Sequence, residues 1–305
     1  MSYISVKSLN CKNCYKCLKY CTVKSIKYRN DKVEVIDEKC ILCDDSTNIC
    51  PQDAKKVISD IDKVKELVTN KNVKKIVSIA PSYISAYPDK NKLVSGLLKL
   101  GFDGVEETAV GAAYVTEEYK KLINKMEMDN ILTSCCPTIN LMISKYYPEL
   151  INNLAPVLSP VLVHGKLIKE KYGPETSVIF IGPCLSKIYE INQDEDSRNV
   201  DFAITFQDLD KWLLDENINL ETITPKEFDT DSPYSRVYPI SQGILYDLKN
   251  HFKDKDSGDK ISKYDLLSVS GLKDVENILN EISNGKIKNV FIEINACSNG
   301  CVNGP

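Results

Sequence analysis

The chain is predicted to fold as an α/β protein with largely parallel sheets, preceded by a small α+β unit. Two observations carry this. From residue 75 onward, short β-branched runs alternate with amphipathic stretches, the pattern of successive βαβ units. Ahead of them, seven of the chain's 12 cysteines crowd into the first 50 residues, which marks off a separate metal-binding unit. At 305 residues the chain exceeds what one small core needs. It divides into residues 1–57 and residues 58–305.

The elements follow from local patterning. Residues 58–73 are polar with Ile61, Val64, Leu67 and Val68 at helical spacing, a helix that bridges the two units. Lys75-Ile76-Val77-Ser78-Ile79-Ala80 is a buried-type strand, followed by a helix over 91–100. Residues 130–133 form a strand and 160–171 a helix; 177–181 and 200–204 are strands, the latter leading into a helix at 208–215. Helix 240–250, strand 266–269, helix 275–282 and strand 290–294 complete the alternation. The charged stretches 193–196 and 253–258 read as exposed loops, and no repeat of solenoid period is present.

Composition excludes several function classes. A formal charge of −4 argues against nucleic acid or an acidic membrane surface as the main partner. No run of 18 apolar residues is present to span a membrane, and Met1-Ser2-Tyr3-Ile4-Ser5 opens no secretory signal. The expected location is therefore the cytoplasm, where thiols stay reduced and clustered cysteines read as metal ligands before disulfides. Residues 1–57 carry a net +4, a mildly basic surface that would suit an acidic electron carrier.

The opening cysteines are Cys11, Cys14, Cys17 and Cys21, then Cys40, Cys43 and Cys50 followed by Pro51. This is the doubled spacing of a bacterial two-cluster ferredoxin, in which the last cysteine of each run crosses to the other cluster. One cluster would take Cys11, Cys14, Cys17 and Cys50. The second would take Cys21, Cys40 and Cys43, but the expected further thiolate at position 46 is Ser46. That leaves a three-iron cluster, a four-iron cluster with an oxygen ligand from Ser46, Asp44 or Asp45, or no second cluster. Zinc fits poorly, because it favours two separated pairs over four cysteines within eleven residues.

Three later stretches carry the remaining cysteines, each where a predicted strand has just ended: Cys135 and Cys136, Cys184, and Cys297 with Cys301. Ligands in open α/β sheets gather outside the carboxyl ends of strands. A thiolate-bound metal cofactor shared by Cys136, Cys184, Cys297 and Cys301 is the simplest account of their placement.

Thr-Ser-Cys-Cys-Pro at 133–137, Pro-Cys-x-x-Lys-x-x-Glu at 183–190 and Glu-x-x-Ala-Cys-x-x-x-Cys-x-x-Gly at 293–304 resemble, in order, the three signatures of the FeFe hydrogenase catalytic domain. The resemblance covers nearly the whole chain. It implies a two-lobed domain with its site in the cleft, and an H-cluster: a 4Fe-4S cubane joined to a di-iron unit bearing CO, cyanide and an azadithiolate. By position, Cys136, Cys184, Cys297 and Cys301 would hold the cubane, with Cys301 bridging to the di-iron unit. Lys187 matches the lysine that bonds one cyanide, and Ala80-Pro81-Ser82 the stretch beside the other. Cys135 matches the thiol that exchanges a proton with the azadithiolate amine, a task suited to a thiol of pKa near ~8.5. The implied partners are H2, protons, a ferredoxin-type electron carrier or a signalling partner, and maturation proteins.

Departures from that pattern are specific. Gly182 replaces the usual Met and is expected to open space beside the di-iron unit; Thr138-Ile139 replaces a bulky aromatic; Val161 replaces a glutamine. Leu122 and Ala155 stand at two positions of the usual proton relay, which leaves Glu117, Glu118 and Glu190 as candidates for another route. These changes resemble the slow, sensory members of the family. The sequence stops at Gly304-Pro305, inside the third signature, so a shortened catalytic domain is expected. The competing reading is an iron-sulfur scaffold or assembly protein of the same fold that lacks the di-iron unit. His164 and His251 read as ordinary side chains.

Overall fold

The computed structural model describes residues 3–7, 10–30, 32–193, 198–230, 235–252, 261 and 263–304. The predicted loop at 253–258 and nearly all of that at 193–196 lie outside the described residues. The first segment holds β1 (Ile4–Val6), α1 (Lys16–Tyr20), β2 (Ile26–Arg29), β3 (Lys32–Val35), α2 (Asp45–Asn48) and β4 (Lys55–Val57). β1 pairs antiparallel with β4, and β2 with β3. Next comes α3 (Ile61–Leu67), whose preceding Asp60 carboxylate accepts from the Ala203 amide at 3.1 Å.

The larger unit runs β5 (Lys75–Ile79), α4 (Lys90–Lys99), β6 (Gly104–Glu107), α5 (Ala109–Lys125), β7 (Asn130–Leu132) and α6 (Pro137–Tyr146). It continues with α7 (Pro160–Tyr172), β8 (Ser177–Gly182), α8 (Leu185–Gln193), β9 (Phe202–Thr205) and α9 (Phe206–Asp215). The last elements are α10 (Gly243–His251), β10 (Asp265–Ser270), α11 (Leu272–Ser283) and β11 (Val290–Asn295). A four-stranded sheet has the order β6-β5-β8-β9 and a three-stranded sheet the order β10-β11-β7. Every pairing within both sheets is parallel. Strands β5, β8 and β11 are rich in Ile and Val and buried almost along their length, as expected where helices cover a parallel sheet.

Register fixes which residues leave the sheets together. Ile79 lies opposite Ile181, so Ala80-Pro81-Ser82 and Pro183-Cys184 emerge side by side, and the Ala80 amide donates to the Ile181 carbonyl at 2.8 Å. Leu132 lies opposite Ile292. One step further on, the Thr133 amide donates to the Ile292 carbonyl at 3.0 Å, and its hydroxyl accepts from the Ile294 amide at 3.1 Å.

β6 and α5 were not expected from the pattern. β6 ends in Glu106 and Glu107, both buried, because each carboxylate has partners waiting. Arg236 donates to Glu107 from Nε at 2.7 and 2.8 Å. Glu106 accepts from Lys171 and Tyr172 at 2.7 Å each, and lies 3.3 Å from His164 Nε2. Burial works to raise the Glu106 pKa, but His164, Lys171 and Tyr172 prevail and hold it down at about 2. His164 itself is fully buried.

Helix α5 meets α7 closely at Gly111, where an added Cβ would run into the Pro160 carbonyl oxygen and lie 2.9 Å from the His164 amide nitrogen. Gly111→Ala should therefore cost about 1–3 kcal/mol by overpacking, read as a lower urea midpoint at unchanged m. Glu106 should contribute stability above pH ~4.5 that is lost as the pH falls toward ~2, on the order of 3 kcal/mol in all. Glu106→Gln should flatten that acid limb of the denaturation midpoint against pH.

Candidate metal centre

Each signature cysteine owes its position to the end of a strand. β7 leads through Thr133 and Ser134 to Cys135 and Cys136, and Pro137 then opens α6, where a missing N–H costs nothing. β8 ends at Gly182, and Cys184 immediately precedes α8. β11 runs into Cys297, and Gly300, at φ 94°, turns the chain so that Cys301 comes back beside it.

The four thiols meet. Burial and then the nearby Cys136 thiol push Cys184 up to about 11. Burial does the same to Cys297, with Cys301, Cys136 and Cys184 adding to it, and to Cys301, with Cys136 and Cys184 adding to it. Every pair of the four thus interacts. Among the described residues no trio of donors stands close enough for one metal ion. Bonds of about 2.3 Å to a tetrahedral ion would need sulfurs only about 3.8 Å apart. A multi-iron cage, with one thiolate at each corner, asks for sulfurs farther apart than a single ion does.

Beside them lies a cavity of about 100 Å³ whose wall includes Ser82, Cys135, Cys136, Phe180, Lys187 and Cys301. The buried Ser82 hydroxyl has no partner among the described residues, a donor left for something that would fill the cavity. The Lys187 ammonium is committed to Glu190 Oε2 at 2.8 Å, and the same oxygen accepts from Ser159 Oγ at 2.8 Å. Burial opposes the Lys187 charge, but Glu190 outweighs it and raises the pKa. Glu190 therefore stands as the counter-ion of Lys187 instead of an open relay group.

Three expectations need correction. Cys135 is not a thiol of ordinary pKa: burial pushes it up to about 12, with the Tyr119 hydroxyl and Lys187 only partly offsetting this. Gly182 does not open space, because a Cβ there would meet Phe180 Cζ at 2.6 Å and Ala80 Cβ at 3.0 Å; the Phe180 ring has taken the volume. Glu117 and Glu118 are both exposed on α5. The α5 residue on the cavity wall is Ala112, and behind Cys135 stands the wholly buried Tyr119, unnoticed in the sequence because it sits within Glu-Glu-Tyr-Lys-Lys. Its hydroxyl lies 3.1 Å from Cys135 Sγ, where either group can donate, and accepts from the Ser134 amide at 3.2 Å.

In the first unit, Cys11, Cys14, Cys17 and Cys50 line one small pocket. Lys55 is buried at its edge, with an ammonium that no group among the described residues hydrogen-bonds. Burial lowers its pKa, while proximity to Cys17, Cys21, Cys40 and Cys50 works the other way. A buried cation among thiols fits sulfur ligands that carry negative charge. Cys21 and Cys40 lie near each other, as do Cys40 and Cys43. Of the oxygen donors near them, the Asp44 carboxylate is engaged by the Leu185 amide at 3.1 Å and by Thr47 Oγ1, whereas the Asp45 side chain reaches the Cys43 thiol.

A sequence model described as the iron-only hydrogenase large subunit, C-terminal domain, matches residues 73–305. The chain belongs to that family. Among curated relatives, iron hydrogenase 1 of Clostridium pasteurianum is 26% identical over 99% of this chain and 64% of its own length. The NADP-reducing hydrogenase subunit HndD of Solidesulfovibrio fructosivorans is 23% identical over 90% of this chain and 56% of its own. The cytosolic Fe-S cluster assembly factor narfl of Danio rerio is 23% identical over 79% and 71%. The chain thus spans about three-fifths of the two hydrogenase relatives. A solved variant of the FeFe-hydrogenase HydA1 from Chlamydomonas reinhardtii superposes with TM-score 0.69 at 20% identity, covering 81% of this chain and 84% of that one. The α/β architecture with parallel sheets is therefore that of the family's catalytic domain.

The packing of Phe180 against Gly182 can be checked directly. Gly182→Ala should destabilise the fold by about 1–3 kcal/mol, because the ring must leave its rotamer. Phe180→Leu in the same chain should recover much of that loss in a thermal melt; additive losses would show that the two positions do not share the volume.

Proposed function

We propose that this protein is a hydrogenase-type oxidoreductase that splits or forms H2 slowly and serves as a hydrogen sensor. The observation that carries the reading is the juxtaposition of four mutually interacting thiols with a cavity holding an unpartnered Ser82 hydroxyl and the Lys187 ammonium. Cys136, Cys184, Cys297 and Cys301 would bind the cubane. When bound, a di-iron unit would supply an open iron position and a basic amine at which H2 is cleaved heterolytically. Lys187 would neutralise an anionic ligand and Ser82 would donate to another, while Ala80 and Pro81 hold the wall in place. Cys135, protonated at neutral pH and held by Tyr119, would donate a proton to the amine and recover it.

Residues 1–57 are read as a ferredoxin-like domain and 58–305 as the catalytic domain; the end of β4 at Val57 supports that boundary. Cys11, Cys14, Cys17 and Cys50 would hold one electron-transfer cluster. Cys21, Cys40 and Cys43 would hold a second, with Asp45 its nearest oxygen donor. A ferredoxin-type carrier or a signalling partner would exchange electrons there, in the cytoplasm. The sensory assignment rests on apolar groups where the family's fast members are polar: Val161 and Ala155 are buried, and Leu122 is half-buried. Maturation proteins would insert the di-iron unit.

The purified protein treated with a synthetic di-iron mimic should develop CO and cyanide stretching bands in the infrared. Bands with slow H2 turnover support the reading, and no bands would leave the scaffold function that the assembly factors' names suggest. Cys135→Ala should keep the bands and lower turnover by about 100-fold or more; turnover at the parent rate would show that Cys135 carries no proton.

A further inference from the structure

A line of hydrogen-bonding groups runs from the cavity to solvent on the side of α7, and the proposed function has not used it. Thr108 lines the cavity. Its Oγ1 lies 2.8 Å from Ser78 Oγ, and Ser78 Oγ lies 2.8 Å from His164 Nδ1. His164 Nε2 lies 3.3 Å from Glu106 Oε2. Glu106 Oε1 accepts from Lys171 Nζ at 2.7 Å and from Thr230 Oγ1 at 3.3 Å, and the Lys171 side chain is 46% exposed. Four of these groups, Thr108, Ser78, His164 and Glu106, are buried, so no bulk water competes for their protons.

The direction of the bonds follows from the acid at the end. Glu106 is surrounded by donors, so His164 presents Nε2–H to it. Nδ1 is then the acceptor and takes the Ser78 hydroxyl proton, and Ser78 oxygen in turn accepts from Thr108. Ser78 and His164 each have one bond in and one bond out, and Thr108 donates at the cavity end. A proton reaching Thr108 can therefore be passed on by each hydroxyl gaining one proton and losing one. His164 gains at Nδ1 and gives its Nε2 proton to the Glu106 carboxylate, and the partly exposed Lys171 ammonium gives one of its protons to water and recovers one from Glu106.

We propose that Thr108, Ser78, His164 and Glu106 form the proton conduit between the cavity and solvent. The proposal rests on the hydrogenase reading above. For each H2 split, two electrons would leave through the iron-sulfur clusters and the protons through this line; the reverse holds for H2 formation. Among the described residues, two other connections are interrupted. Tyr238 Oη meets Thr116 Oγ1 at 2.6 Å and Thr116 meets Asp247 at 2.7 Å, but the next step to His251 Nδ1 is 3.9 Å from Asp247 Oδ1 and that from His251 to Glu117 is 3.5 Å. Cys135 bonds Tyr119, whose other bond ends on the Ser134 amide.

The test compares the full chain, matured with the di-iron mimic, in four forms: the parent, Thr108→Val, Thr108→Ser and Ser78→Ala. Thr108→Val keeps the shape and removes the hydroxyl. It should cut H2 turnover at least tenfold, leave the KM for H2 and the infrared band positions unchanged, and slow the shift of those bands after flash reduction. Thr108→Ser should restore the rate, which a purely structural role of the methyl group would not allow. Before maturation, 15N shifts of the His164 ring should report a protonated Nε2 and an unprotonated Nδ1 that accepts a hydrogen bond. Parent-like turnover in both Thr108→Val and Ser78→Ala, or the opposite His164 tautomer, overturns the conduit while leaving the hydrogenase reading standing. A parent protein with no bands after maturation ends both.

Discussion

The structure depends on one constraint: parallel pairing sends all strands of a sheet out at the same edge. β5 and β8 are in register, so Ala80-Pro81-Ser82 and Pro183-Cys184 cannot avoid each other. β7 and β11 are in register, so Cys135, Cys136 and Cys297 share the other wall. Thr133 tightens the second pair, since its amide and its hydroxyl both bond β11 just before the chains part. A slip of one residue in either sheet would turn alternate side chains to the opposite face and scatter the thiols. The ligand geometry is thus a property of the sheets before it is a property of the loops.

Desolvation sets the chemistry of what gathers there. Burial raises the pKa of Cys184, Cys297 and Cys301, so binding a metal through these thiols would release protons. Buried positive charge follows the same logic in two ways. Lys187 is sustained by Glu190 at 2.8 Å. Lys55 has no such carboxylate; its surroundings are sulfurs. The first cation is balanced by the chain itself, and the second is balanced only when those sulfurs carry charge.

The cysteine motifs were legible in the sequence because cluster ligation demands particular residue types at particular spacings, which no core packing would select. Strands such as 75–79 and 290–294 were legible because both faces are buried and nearly every residue is apolar. Strand β6 was not, since its four residues include Glu106 and Glu107, and the charged partners that allow them to be buried come from 58 or more residues downstream. The same blindness hid Tyr119 and the role of His164, whose bonds run to Ser78 and Glu106 on two neighbouring strands. A side chain's sequence neighbours reveal its own element, whereas its chemistry is decided by elements that fold against it.

Gly182 shows why a single altered position is a poor guide to a site's shape. Removing a large side chain from a close-packed interior leaves a void whose walls lose contacts, so a neighbour that can enter it lowers the free energy. Phe180 stands two residues back on the same face of β8, and its ring edge lies where a Cβ of residue 182 would be. The cavity wall is therefore aromatic and apolar where open space was expected. Val161 extends that character on the side of α7. Few polar atoms remain on the wall, and the Thr108 hydroxyl, already bonded to Ser78, is among them. Apolar walls and one buried hydroxyl chain belong to one arrangement: the fewer polar groups the wall offers, the more the proposed conduit would depend on the chain of hydroxyls that stays unbroken.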